Sequence, residues 1–545
     1  MTSEKMTAGE IHDWIRYNIG MRQHVWLELP DDGDNDKWIE QSRKRIPYSD
    51  VNAARDIFAA LAEKLHYLPG SSTWYVWNGV FHEQIAGDLL AGWLTNAFVD
   101  AHRQALGVVE DYYLSAAASL SGDAKVNKMK EFKDLKFKDH LGYKNRLSNN
   151  VGFTGLIRQI KTEFSVTDDF FVDDLRWLVF LNGVLDVKEL VDNPVEPGDI
   201  AGLVSRLQDH VPDRPVWRCV DAELRDVGVS EAWSKFLNSS LPDPELRRFL
   251  ATVTGAAFLG ISKLKTIPVL KGKKDSGKTI YIDTIHTLAG GYGGQPDTSA
   301  INKASGGQNF EQDAFRGLRF AAVSEPDSDR KVDDSFLKKF TGGDILSTRN
   351  LHARSVQWKS QGVIFFATNR NLKYNTFDKA ILDRFATVEF PNQFFDRTDL
   401  PTGVSEDFLK DRSLEDSLKA DLSGILVWVM NGALTYLEDG GVYIPEPIRL
   451  NRVIQYVEGS TVVQWAQHIQ SGESSTVVWD PAADPKDCMS VGDLYSDYMM
   501  WCSMDNEDPE GRKSFSNQIQ DYLGVKTVKR SRYVLPSMRS KAGVF

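Results

Sequence analysis

The chain has 545 residues, too many for one ordinary hydrophobic core, so roughly two to four domains are expected. Its 42% hydrophobic, 26% charged and 11% aromatic composition is that of a soluble globular protein. The formal charge of −12 excludes attraction of polyanions by bulk charge, so any nucleic-acid contact needs a local basic surface such as a channel.

The opening "MTSEKMTAGEIHDW" lacks a signal-peptide core. Residues 1 to about 120 read as helical, with apolar residues at helical spacing in "AARDIFAALAEKL" and "LLAGWLTNAFVDA". Between these, "STWYVWNGVFHEQ" reads as a hairpin pivoting on Asn78-Gly79. The lysine-rich run Lys125–Arg146 is either a solvated helix face or a DNA-facing surface. "WLVFLNGVLDVKE" reads as a strand pair turning at Asn182-Gly183, and "DNPVEPGDIAG" as a boundary. From Ser230 the pattern is helical again. Cys219, Cys488 and Cys502 form no CxxC pair, which excludes a disulfide framework and a cysteine-rich zinc site and suits a reducing cytoplasm.

The central stretch "TIPVLKGKKDSGKTIYIDTIHTLAGG" carries the chemistry. Gly272, four residues, then Gly277-Lys278-Thr279 fits the phosphate-binding pattern GxxxxGK[ST], set between an apolar strand and a helix that buries Tyr281, Ile285 and Leu288. Gly272, Lys273, Lys274, Asp275, Ser276, Gly277, Lys278 and Thr279 form the candidate nucleotide loop. Its backbone N–H groups would approach the phosphates, Lys278 would reach the β/γ-phosphates and the Thr279 hydroxyl would ligate Mg²⁺. Pro268 conflicts with a central strand. Downstream, "GLRFAAVSEPDSD" offers Glu325 at a strand end, to polarise the attacking water and help hold the metal. "GVIFFATN" ends in Thr368-Asn369, whose amide would position that water. Gly342-Gly343-Asp344 breaks a helix, and "ILSTRN" and "SVQWKS" flank "LHAR" as a hairpin with His352 and Arg354 at its tip. Arg384 lies on a short helix before another strand. In a monomer it would be a surface ion-pair arginine; in a ring it would reach a neighbour's site.

The apolar run Gly424–Leu437 is shorter than the ~20 residues a spanning helix needs and reads as a buried helix. In the C-terminal module, Ser490 and Ser514 are the expected caps of two helices, and "VKTVKRSRYVLPSM" reads as a winged hairpin. Residues 524–545 hold six Lys/Arg and no acid, Lys529, Arg530 and Arg532 among them; this is a phosphate-contact patch or a basic tail.

The order of phosphate loop, Ser324-Glu325-Pro326, Leu337-Lys338, Thr341 to Asp344, Arg349-x-Leu351, Thr368-Asn369 and Arg384 resembles superfamily 3 helicases, in particular the phage and plasmid primase-helicase branch related to the poxvirus primase-helicase. "FLNGVLDV" and "WSKFLNSSLPDPELRRFLATVTGAAFLG" extend the resemblance over roughly residues 70 to 440. It implies a hexameric AAA+-type motor that translocates on DNA with ATP and Mg²⁺. Lys278, Thr279, Glu325 and Asn369 inherit the ATPase roles, Arg384 the finger in trans, and His352 and Arg354, with Arg349, the pore hairpin.

The expected fold class is multidomain α/β. It comprises a mixed α/β N-terminal domain (1–195), a helical collar (196–262), an AAA+-like P-loop ATPase core (263–395), helices of the motor (396–444) and a winged-helix-like domain (445–545). The first 70 residues are too few for a fused primase, so a separate primase or polymerase is an expected partner. DNA and further copies of the chain are the others, and no membrane is expected. The expected location is the cytoplasm, of a bacterial host if the protein is from a phage. The alternatives are an ATP-switched initiator that binds an origin and a DNA-packaging or loader ATPase.

Overall fold

The computed structural model describes residues 5–30, 33–132, 137–167, 170, 176–302, 310–324, 332–348, 356–370, 379–505, 507–529 and 532–541. They divide into two units: residues 1–195, 199–227 and 289–292, and the remainder.

The first unit holds helices α1 (Ala8–Gly20), α2 (Arg22–Trp26), α3 (Asn35–Arg45), α4 (Asp50–Leu61), α5 (Gly87–Ala118), α6 (Gly122–Lys130), α7 (Lys138–Leu147), α8 (Asn150–Glu163), α9 (Val187–Asp192) and α10 (Ile200–Val204). Its strands are β1 (Leu65–Leu68), β2 (Thr73–Trp77), β3 (His82–Ile85), β4 (Trp177–Phe180) and β5 (Gly183–Asp186). The 32-residue α5 is the spine, because its buried Leu94, Phe98 and Leu106 share one core with Ile11 and Ile15 of α1 and Leu156 of α8. Helix starts follow local chemistry: Thr7 and Glu10 form a capping box, and the Ser49 and Asn149 side chains accept from the N–H groups of Asn52 and Gly152.

The expected hairpin is present as β2–β3, with the Asn78 side-chain oxygen accepting from Val80 and Phe81 N–H; β1 adds a third antiparallel strand. The β4–β5 pair is also present, but its turn is Leu181-Asn182, since Gly183 already pairs with Phe180. Asn182 is held there by reciprocal bonds to the Leu224 backbone, at 2.9 Å each way.

The second unit contains α11 (Glu231–Ser240), α12 (Pro244–Phe258), α13 (Lys278–Ala289), α14 (Asp334–Gly342), α15 (Lys379–Leu382), α16 (Leu414–Ala420), α17 (Leu422–Asp439), α18 (Glu446–Glu458), α19 (Thr461–Gln470), α20 (Val491–Asp505) and α21 (Arg512–Leu523). Strands β6 (Ile267–Gly272), β7 (Gly293–Gly294), β8 (Phe320–Ser324), β11 (Val363–Thr368) and β12 (Phe385–Phe390) form a parallel sheet in the order β12-β6-β11-β8-β7. Their near-continuous apolar sequences suit strands buried on both faces. Between β8 and β11, β9 (Ile345–Thr348) and β10 (Val356–Lys359) pair as the arms of the expected hairpin.

The apolar run at 424–437 lies in α17 and is largely buried; among the described residues no single helix is long and apolar enough to cross a membrane. α17 packs on α12 backbone to backbone: a Cβ on Gly432 would lie 2.0 Å from the Ala251 carbonyl oxygen. Finally, β13 (Val477–Trp479), β14 (Cys488–Ser490), β15 (Val528–Lys529) and β16 (Tyr533–Ser540) form a small sheet beside α19 to α21. Ser490 caps α20 as expected, accepting from Asp493 N–H. Ser514 does not cap α21: the helix starts earlier, behind Gly511, and the Ser514 hydroxyl accepts from the Gln518 amide instead.

Buried histidines make the first unit acid-sensitive, His82 and His102 among them. His82 lies 3.1 Å from the Val216 carbonyl and His102 2.9 Å from that of Pro47, and burial pushes both down to about 4. Below pH 6.5 the unfolded chain binds protons that the folded unit refuses. Stability is therefore whole above pH 6.5 and falls on acidification toward pH 4, by about 1.4 kcal/mol per pH unit for each histidine. Urea unfolding followed by tryptophan fluorescence at pH 7, 6 and 5 should show this slope, and His102→Gln should remove its share.

Candidate nucleotide site

The phosphate loop joins β6 to α13. Its backbone passes through the left-handed region twice, at Asp275 (φ 58°) and Gly277 (φ 99°), and such alternation turns successive N–H groups toward one concavity. Lys278 is 6% exposed, and its ammonium donates to the carbonyls of Gly272 (2.8 Å) and Lys273 (2.7 Å) and to the Ser276 hydroxyl (3.1 Å). The loop thus curls around the lysine. Lys273, Lys274 and Thr279 are exposed, and Thr279 stands in the first turn of α13. This arrangement fits a polyphosphate: a curled backbone, a helix N-terminus and a lysine at the centre.

Residues outside the motif hold the loop. Gly277 is backed by α11 so closely that a Cβ would lie 2.6 Å from the Ser240 hydroxyl and 3.0 Å from the Phe236 ring. The Asn392 amide donates to the Ser239 carbonyl at 2.7 Å. Phe394 N–H donates to the Asp275 carbonyl at 2.8 Å, and the Lys410 ammonium lies 3.2 Å from the Asp275 carboxylate. Beneath the loop, Tyr281 is fully buried, bonded to Thr254 at 2.7 Å, and burial pushes its phenol up.

The parallel register puts three expected elements at one edge. Lys271 pairs with Thr368 and Ala367 with Ser324, so the loop, the end of β11 and the end of β8 emerge side by side. Asn369 is exposed there, just after Thr368, whose hydroxyl accepts from Arg370 N–H at 3.1 Å. Ser324 is exposed at the end of β8; Glu325, which follows it, lies outside the described residues.

Arg384 is not brought to this edge. It precedes β12 at the other end of the sheet, where its carbonyl accepts from Ile267 N–H at 2.6 Å. At roughly 3.3 Å per residue, the length of β6 separates the two edges by about 17 Å. Its guanidinium donates to the Thr341 hydroxyl (Nε, 2.8 Å) and to the Ala380 carbonyl, so the arginine is anchored on the Thr341-to-Asp344 motif by neutral acceptors.

Of the expected DNA contacts, Arg349, His352, Arg354 and Arg530 lie outside the described residues. Lys529 and Arg532 are exposed, at the turn end of the β15–β16 hairpin. Sequence reading missed Asn392, Phe394 and Lys410. They follow β12 in an irregular stretch, and no periodicity or motif marks them.

Residues 54–253 match the family described as D5 N terminal like. Over these residues the chain is similar to an N-terminal domain of the primase-helicase family. It is similar to "Putative helicase L207/L206" of Acanthamoeba polyphaga mimivirus, at 21% identity over 62% of this chain and 35% of that protein. It is also similar to "Putative helicase 022R" of Frog virus 3, at 22% identity over 54% and 30%, and to "Putative helicase V13" of Sputnik virophage, at 25% over 35% and 25%. The chain spans about a third of the length of the first two of these relatives. Among solved structures it is similar to the apo NrS-1 C terminal region, with 11% identity, a TM-score of 0.34, and coverage of 55% of this chain and 68% of that one.

The close approach of α11 makes position 277 intolerant of any side chain. Gly277→Ala combines a left-handed backbone with a clash, and should lower stability by about 2–4 kcal/mol, read as a lower thermal unfolding midpoint.

Proposed function

We propose that this chain is an ATP-driven DNA helicase motor that works as a ring of identical copies, a hexamer in the family it resembles. The observation that carries the reading is the division of one parallel sheet between two edges: the phosphate loop, Ser324 and Asn369 at one, Arg384 at the other. A site built from one copy lacks Arg384; a neighbour docking its Arg384 edge against the loop edge supplies it.

In that arrangement Lys278 and the loop amides bind the β- and γ-phosphates, and Thr279 with Glu325 would hold Mg²⁺, which offsets charge on the phosphates when bound. Glu325 takes the proton of the attacking water and Asn369 orients that water. Arg384 of the adjacent copy stabilises the charge that develops as the bond to the leaving phosphate breaks. The β9–β10 hairpin would carry Arg349, His352 and Arg354 toward DNA phosphates. Lys529, Arg530 and Arg532 on the β15–β16 hairpin would form a second contact of winged-helix type.

Fork unwinding and ATP hydrolysis should both vanish in Lys278→Ala. Arg384→Ala should slow hydrolysis on the order of 10³-fold while leaving nucleotide binding intact. Mixing the two variants should restore part of the hydrolysis, because one pairing of neighbours joins an intact Lys278 to an intact Arg384. A mixture as inactive as its components would overturn the shared site.

A further inference from the structure

Asp275 is an anomaly in a loop read as binding a polyphosphate. It is acidic, and it holds a left-handed conformation (φ 58°) that non-glycine residues adopt at a cost. Its carboxylate adds a negative charge on the segment that would curl around phosphate oxygens. Two contacts hold and offset it. Its carbonyl accepts from Phe394 N–H at 2.8 Å, and its carboxylate lies 3.2 Å from the Lys410 ammonium.

Lys410 is itself fixed in place. Its N–H donates to the Phe395 carbonyl at 2.9 Å, and Phe395 N–H donates to the Phe408 carbonyl at 2.8 Å, so residues 394–396 and 408–410 run together as a short ladder. The Lys410 ammonium also lies 3.0 Å from Asp396, whose second partner is Arg412 at 3.4 Å. The hydrogen bonds to Asp396 and then to Asp275 hold the Lys410 ammonium above its ordinary range, and Lys410 in turn holds the Asp396 carboxyl below its own.

We propose that Lys410 is a positioning residue for the nucleotide site: it neutralises Asp275 and pins the loop in its left-handed turn, and so sets nucleotide affinity without touching the nucleotide. The inference rests on the reading of the loop as an ATP site. It differs from a general packing role in being electrostatic and in reaching the loop through the Asp275 carboxylate. Loss of the lysine leaves Asp275 repelling the phosphates, and removing that charge repairs the loss. The effect belongs to KM and not to kcat, because Lys410 acts on the loop through its contact with Asp275.

The test is a fluorescence-anisotropy titration of the full chain with a fluorescent ATP analogue and Mg²⁺. Lys410→Ala should weaken binding about five- to tenfold at low salt, with the loss shrinking as ionic strength rises. Lys410→Arg, which keeps the charge, should bind within about twofold of the parent. Adding Asp275→Asn to Lys410→Ala should recover most of the lost affinity, whereas a merely structural role predicts no recovery. Lys410→Ala binding as tightly as the parent, or a loss that Asp275→Asn leaves untouched, overturns the proposal while the ATP-site reading stands. A parent chain that binds no nucleotide overturns that reading, and this inference falls with it. A thermal melt of each variant separates lost affinity from lost fold.

Discussion

The register of β6 between its two neighbours is the constraint on which the second unit depends. β6 pairs in parallel with β12 along its whole length, from Ile267 opposite Phe385 to Gly272 opposite Phe390, and with β11 from Val269 onward. Parallel pairing fixes all the strand ends at once. Whatever follows β6, β8 and β11 must share one edge, and whatever precedes β12 must sit at the other. A shift of one residue would turn side chains over as well as displace them, and apolar residues on both faces resist it. The loop, Asn369 and Arg384 are therefore placed by the same hydrogen bonds, which makes their relative positions a property of the core and not of flexible loops.

Pro268 shows how the sheet accommodates a residue that should not be central. Ile267 N–H bonds on the β12 side, and alternation along the strand turns position 268 toward β11. The β11 ladder opens only at Val269, so the donor that proline lacks falls before the first rung. The same economy of backbone contact governs the helices. Gly432 on α17 lies against the α12 backbone and Gly277 lies against α11, so helices on this unit approach both one another and the loop at distances a methyl group would forbid.

Much of this architecture was legible in the sequence because it is local. Strand, glycine loop and helix are contiguous, and the burial of Tyr281, Ile285 and Leu288 follows from helical spacing alone. The arms of the β9–β10 hairpin and of β2–β3 follow from β-rich runs around a turn. What could not be read depends on partners distant in sequence. The β4–β5 turn is set one residue early by Asn182 bonding to Leu224, 42 residues on. Ser514 looks like a cap until the helix is seen to start behind Gly511. Lys410 meets Asp275 across 134 intervening residues, in a stretch with no regular structure to announce it.

Charge is the last point at which global and local readings part. The chain carries a net −12, yet an ATP site must attract several negative charges. At physiological ionic strength the screening length is about 8 Å, so acids far from the loop contribute little to the potential there. The nearest charges decide it. Lys273 and Lys274 are exposed on the loop, and Lys278 lies at its centre. Lys271 is partly committed to Glu389 at 3.3 Å. Asp275 is then the acid within the loop itself, and its pairing with Lys410 offsets that charge. The overall acidity of the molecule is thus by itself no obstacle to a nucleotide at this loop.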